Sequence, residues 1–236
     1  MRHRILFSSF LFSLLTFPSI AAAVTYNFGV AAPRTGFESP KGRQIFLGVE
    51  KAVEYVNKNS SKFGFKIKLV KGDDRCVPDQ AAKVANKLAA QKVKAVIGHL
   101  CSEASIAASE VYSDRGILQI SPGATHPNFT DRQLHTVFRL TGRDDVQGKT
   151  IANFINNILK AKNIAIVHDK TMYGQGLAEI TRNQISDMGS TVTLYEGVNV
   201  AEVDLSGIVK KIRFIQPDIV FYGGSTEQAG LFVKQL

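Results

Sequence analysis

The chain has 236 residues, 29 of them Lys or Arg against 20 Asp or Glu, with 44% hydrophobic and 21% charged residues. Such a mixture is too apolar and too mildly charged for a disordered chain, and it is long enough for one large domain or two small ones. It excludes a collagen, a coiled coil, a disulfide-dense toxin and a multi-pass membrane protein.

At the N-terminus, Arg2-His3-Arg4 precedes an apolar run from Ile5 to Phe17, followed by Pro18-Ser19-Ile20-Ala21-Ala22-Ala23. A basic start, a short apolar run and small residues at its end describe a secretory signal peptide over residues 1–23, cut after Ala23 or, as a second site, after Ala21. The competing reading is an uncleaved anchor. Its apolar run would cover only about two-thirds of a bilayer, and Pro18 interrupts the helix where an anchor would continue. The expectation is an exported protein with no membrane insertion after cleavage. Export changes how Cys76 and Cys101 read: two cysteines in an oxidising compartment make a disulfide the default. A catalytic Cys101–His99 pair stays open beside it, since residues two apart on an extended segment share a face.

Strands and helices then alternate. Strands are expected at Thr25–Ala31, Lys66–Val70, Ala95–Ile97 and Ile117–Ile120, with helices at Gln44–Val56, Asp79–Leu88 and Ala104–Tyr112 between them. After a longer connection through Pro122 and Pro127, a second half opens at Val137–Leu140 and runs into Thr141-Gly142-Arg143-Asp144-Asp145. Helices follow at Ile151–Leu159, Leu177–Met188, Leu205–Ile212 and Gln228–Leu236, with strands at Ile164–Val167, Val192–Tyr195 and Ile219–Tyr222. Such alternation implies an α/β fold with parallel sheets, here in two lobes with a cleft between them: residues 24–141 and residues 142–236. The last helix stops in mid-pattern, so the second lobe is expected to be incomplete at its C-terminus.

No P-loop, spaced Rossmann glycines, G-x-S-x-G elbow or metal-ligand spacing occurs. Tyr173-Gly174-Gln175-Gly176 follows a strand and opens a helix but carries only two glycines of a nucleotide fingerprint, and His168-Asp169 reads as a polar loop or a dyad. Scattered lysines without interleaved aromatics read as a solvated face, not a nucleic-acid surface. The informative stretches are the C-terminal ends of two first-lobe strands, where open parallel sheets place ligands. Gly98-His99-Leu100-Cys101-Ser102-Glu103 sets Ser102 at a helix start, as a plain cap or as part of an anion site. Ser121-Pro122-Gly123-Ala124-Thr125 is either a self-satisfied turn or a donor of carbonyls and the Thr125 hydroxyl. Together they could hold both ends of a free amino acid without nucleophile or metal.

These stretches, with Asp73-Asp74-Arg75-Cys76-Val77-Pro78-Asp79-Gln80-Ala81, Ile164-Ala165-Ile166-Val167-His168-Asp169-Lys170 and Val220-Phe221-Tyr222-Gly223-Gly224, resemble the branched-chain amino-acid-binding proteins of bacterial ABC importers, the leucine/isoleucine/valine-binding group of type I periplasmic binding proteins. The resemblance runs over nearly the whole chain after the leader. It implies two α/β lobes joined by hinge crossings, the first at Thr141–Asp144, and no catalytic residue, cofactor or metal. It implies a Cys76–Cys101 disulfide, an amino-acid ligand and a membrane permease as partner, in the periplasm. Ser102 and Thr125 would take the ligand carboxylate, and Thr125 with the Gly123 carbonyl would take the ammonium. Leu100 and Ala124 would line that wall, and Tyr173 would cover the ligand from the second lobe.

Three departures accompany it. Lys41 and Ser225 stand where the group presents aromatics to the ligand side chain, which suits a more polar or larger ligand. The second-lobe acid that pairs with the ammonium in the group falls, by sequence order, past Leu236. Two other readings therefore stand beside a binding protein: a truncated remnant that binds nothing, and an enzyme built on Cys101, His99 and Ser102.

Overall fold

The structure is a computed structural model that describes residues 23–236. Residues 1–22, and with them nearly all of the expected leader, lie outside the described residues. The first sheet holds β1 (Val24–Ala32), β2 (Phe65–Asp73), β3 (Ala95–Gly98), β4 (Leu118–Ser121) and β5 (Val137–Arg139), in the order β2-β1-β3-β4-β5. Every neighbouring pair is parallel. The register aligns Ala32 with Asp73, Ala31 with Gly98, and Ser121 with Arg139, so the loops carrying the expected site leave the sheet at one end.

Helices cover both faces, as a parallel sheet requires. On one face α3 (Pro78–Ala90) and α4 (Ser102–Ser113) pack Ala81, Val84, Leu88, Ala104, Ala108 and Tyr112 against Val70 and Val96. On the other, α1 (Ser39–Lys58) sets Phe46 on Val30 and Ala32. Short α2 (Ser60–Phe63) and α5 (Asn128–Asp131) complete this lobe.

The second sheet is β6 (Asn163–His168), β7 (Thr191–Gly197) and β8 (Ile219–Gly223), parallel and in the order β7-β6-β8. Ile164 through Val167 are wholly buried, the continuous apolar run expected of a central strand. One face is covered by α6 (Asp144–Asn153), which continues as a π-helical turn over Phe154–Ile158, and by α7 (Met172–Asp187). The other is covered by α8 (Ser206–Ile215) and α9 (Thr226–Gln235), through Ile208, Val209, Ile212 and Phe232.

Val137–Leu140, where the second half was read to open, lies within residues 24–141 and forms the edge of the first sheet, because β5 pairs with β4 and Leu140 N–H donates to the Ser121 carbonyl at 3.0 Å. One expectation changes. The helix expected over Ile151–Leu159 begins seven residues earlier, with Asp144 and Asp145 in its first turn, where carboxylates favour the helix dipole.

Candidate functional site

The ends of β1, β3 and β4 in the first lobe and of β6 and β8 in the second open onto one cleft of about 530 Å³. Leu100, Ser102, Gly123 and Thr125 line it from the first lobe and Tyr173 from the second, with Lys41 and Ser225 also on its walls. Ala124 does not line it. Its side chain is wholly buried and packs with Phe129 and Val137, since the turn that exposes Gly123 and Thr125 points the residue between them inward.

Several interactions hold the first-lobe wall in place. Cys76 and Cys101 form a disulfide, with Cα atoms 5.4 Å apart, that ties the loop after β2 to the residue before α4. The His99 ring is buried, its Nδ1 2.6 Å from Asp74 Oδ2 and its Nε2 3.2 Å from the Tyr112 hydroxyl. His99 is thus part of the core packing and Cys101 is no free thiol, so the pair does not form a nucleophile and base.

Ser121 makes the corner: its hydroxyl donates to the His99 carbonyl at 2.6 Å and accepts the Ala124 N–H at 2.8 Å. Arg139, which the sequence reading passed over, clamps the far side. It donates to the carbonyls of Ala124 at 2.8 Å and His126 at 3.0 Å and to the Thr130 hydroxyl at 2.7 Å.

The corner leaves polar groups for a ligand. The N-cap residue Cys101 makes no side-chain cap, and the Glu103 carboxyl meets its own N–H, so other amides of the first turn of α4 are left without a partner in the helix. Ser102 Oγ accepts the His126 N–H at 3.3 Å and keeps its own proton to donate. The buried Thr125 Oγ1 lies against the wholly buried Asp144 carboxyl, and neither group has another hydrogen-bond partner among the described residues. Thr125 and Asp144 meet through the backbone, Asp144 N–H donating to the Thr125 carbonyl at 3.1 Å, which joins the corner to the first helix of the second lobe. Burial pushes the Asp144 carboxyl above the usual carboxylate range, against the pull of the Thr125 hydroxyl and Arg139. Burial likewise raises the Tyr173 phenol, helped by the charges of Asp144 and Asp169.

On the second-lobe wall, Asp169 is almost fully buried and accepts hydrogen bonds from Thr171 and the Ser225 N–H. These partners make it an organiser of the α7 and α9 starts; it forms no dyad with His168, whose Nδ1 accepts the Lys170 N–H at 3.2 Å. Gly174 belongs to packing too: a Cβ there would sit 2.5 Å from the Gly223 carbonyl and 2.1 Å from Asp169 Oδ1. Lys41 bridges the walls, its Nζ 2.8 Å from Glu38 and 3.3 Å from Glu227 at the start of α9. Burial alone would lower the Lys41 ammonium; the Glu38 and Glu227 carboxylates outweigh it and raise it.

Phe37, Arg75, Glu103 and Val200 also line the cleft and were not singled out from the sequence. An acid in a helix's first turn, as Glu103 is, reads from sequence as a dipole partner. Among the described residues no three His, Cys, Asp or Glu side chains group as a metal site, and no helix is long and apolar enough to cross a membrane.

Two parallel-sheet lobes with a cleft at the strand ends define a solute-binding architecture. The chain matches the periplasmic binding protein family over residues 25–236, and it belongs to that family. It is 47% identical to an amino acid binding protein of Pseudomonas aeruginosa over 209 residues, 88% of this chain and 56% of that protein. It is 45% identical to a Leu/Ile/Val-binding protein homolog of Brucella abortus over 208 residues, with the same shares. Among solved structures it superposes on the branched-chain amino acid transporter substrate-binding protein LivJ of Streptococcus pneumoniae, in complex with isoleucine, with a TM-score of 0.82 and 27% identity, covering 89% of this chain and 60% of that one. The fold is that of type I periplasmic binding proteins, and the family's members are solute-binding proteins, not enzymes. The chain spans little more than half the length of the curated relatives it matches.

Proposed function

We propose that this chain, lobes 24–141 and 142–236 together, binds a free amino acid, branched-chain or related, in the interlobe cleft. It would do so as the exported receptor of an ABC importer, handing its ligand to a membrane permease in the periplasm after loss of the leader. The observation that carries this reading is the convergence of the Ser102 hydroxyl, the first turn of α4, the buried Thr125 hydroxyl and Tyr173 on one cleft. Hydroxyl and amide donors suit a carboxylate, and a carbonyl with a second hydroxyl suits an ammonium. The α4 amides and Ser102 take the ligand carboxylate. Gly123 and Thr125 take the ammonium, and Tyr173 closes over both from the second lobe. Relatives named for amino acid and Leu/Ile/Val binding support the ligand class.

Calorimetric titration with leucine, phenylalanine and arginine tests it. Saturable one-to-one heat with at least one of them is expected; no heat with any amino acid defeats the proposal.

A further inference from the structure

Thr125 lines the cavity from the first lobe, and against its hydroxyl lies the carboxyl of Asp144, the first residue of α6 in the second lobe. Asp144 is wholly buried and is not among the residues that line the cavity. Its backbone fixes the two together, the Asp144 N–H donating to the Thr125 carbonyl at 3.1 Å. Neither side-chain group has another hydrogen-bond partner among the described residues.

The arginines nearby are engaged elsewhere. Arg139 gives its guanidinium to the Ala124 and His126 carbonyls and the Thr130 hydroxyl, and Arg143 pairs with Asp131 and Asp145. Burial holds the Asp144 carboxyl above its usual range, against the pull of Thr125 and Arg139. The carboxyl thus sits in the interior without a paired cation, one hydroxyl away from the cavity.

An ammonium can only donate, so Thr125 can receive one only on an oxygen lone pair. The hydroxyl hydrogen then needs an acceptor of its own, and the Asp144 carboxyl is the group beside it with no other donor on either oxygen. A chain results from ammonium to hydroxyl to carboxylate, in which the carboxylate polarises the hydroxyl and strengthens it as an acceptor. The same chain brings the buried carboxylate a counter-charge.

We propose that Asp144 is a positioning residue for amino-acid recognition: it takes the Thr125 hydroxyl hydrogen, sets Thr125 as an acceptor, and so makes the cleft prefer solutes that carry an α-ammonium. The inference rests on the amino-acid reading above, which puts the ammonium at Gly123 and Thr125, and adds the residue that enforces the α-amino group.

The test is calorimetry with leucine, phenylalanine and arginine, each against the acid that lacks its α-amino group: 4-methylpentanoate, 3-phenylpropanoate and 5-guanidinopentanoate. The parent protein is expected to bind an amino acid at least about tenfold tighter than its deaminated counterpart. Asp144→Leu, which removes the acceptor, should lose about tenfold of that preference, and Asp144→Asn, which keeps an acceptor oxygen without the charge, should lose less. In a Thr125→Val background either substitution at Asp144 should change the preference no further, because the hydroxyl that transmits it is gone. Losses that add across the two sites, or an Asp144 variant that weakens an amino acid and its deaminated acid equally, overturn the inference and leave the amino-acid reading intact. If the variants do not fold, a crystal structure of the parent protein with a bound amino acid decides. Thr125 Oγ1 within hydrogen-bond distance of both the ligand nitrogen and an Asp144 carboxylate oxygen is expected, and a Thr125 hydroxyl turned away from either overturns the inference. Silence with every amino acid removes it together with the reading beneath it.

Discussion

Lys41 Nζ stands 3.3 Å from a carboxylate oxygen of Glu227, joining the first turn of α1 in one lobe to the first turn of α9 in the other. Both side chains are about two-fifths exposed, so the contact contributes little to folding, roughly 0.2–1 kcal/mol, and salt weakens it. Its larger effect is on the distance between the walls. Lys41→Met is expected to leave the denaturation midpoint nearly unchanged and to raise the radius of gyration of the ligand-free protein in X-ray scattering at low salt. An unchanged scattering profile would show that the pair does not hold the lobes together.

The Cys76–Cys101 disulfide closes a loop of 25 residues in the first lobe. Loop closure of that length constrains the unfolded chain by about 3–4 kcal/mol in the chain-entropy model. Reduction, or the double Cys76→Ser, Cys101→Ser variant, should therefore lower the urea midpoint clearly without changing its slope. Thiol labelling of the native oxidised protein should find no reactive cysteine.

Asp144 is wholly buried, and burial outweighs the neighbouring Thr125 hydroxyl and Arg139 to hold its folded-state carboxyl above the ordinary value. Where the folded carboxyl keeps its proton after the unfolded one has lost it, raising the pH costs stability, from about pH 4 upward through the raised folded value. Asp144→Asn removes that dependence. It should stabilise the protein by about 1 kcal/mol at neutral pH, with the gain gone below about pH 4. A variant less stable at pH 7 than its parent would show that the carboxylate has a partner in solution.

Arg139 holds the carbonyls of Ala124 and His126 and the Thr130 hydroxyl, so it positions Gly123 and Thr125 without lining the cleft itself. Arg139→Met should cost about 1–3 kcal/mol of stability and weaken amino-acid binding by raising the dissociation rate, since the loosened corner must be reordered on binding. Arg139→Lys, which keeps the charge but loses the fork, should restore little of either.

Much of this arrangement was legible in the sequence, for identifiable reasons. Ile164–Val167 is a continuous apolar run and Gln44–Val56 a helical stripe, and burial on two faces or one leaves those patterns in any chain. The sheet that Val137–Leu140 joins is not legible in its own residues: three paired residues carry no mark of their partner, and the Leu140–Ser121 and β4–β5 hydrogen bonds decide it. The start of α6 was hidden because Asp144 through Gly148 lack an apolar stripe and are held by capping electrostatics instead. The direction of the Ala124 side chain was not legible, because the direction of a turn side chain depends on what clamps the turn, here an arginine fifteen residues later. Glu103 and Asp169 looked like ordinary helix-start and loop polarity until two separate lobes put them on one cavity.

A crystal structure grown with saturating leucine, phenylalanine or arginine, whichever binds, is the most direct measurement. The account predicts density for one amino acid between the lobes, its carboxylate within hydrogen-bond distance of Ser102 Oγ and the α4 amides and its ammonium at Gly123 and Thr125. A ligand bound elsewhere on the molecule, or seated in the cleft with its carboxylate turned away from Ser102, would contradict it.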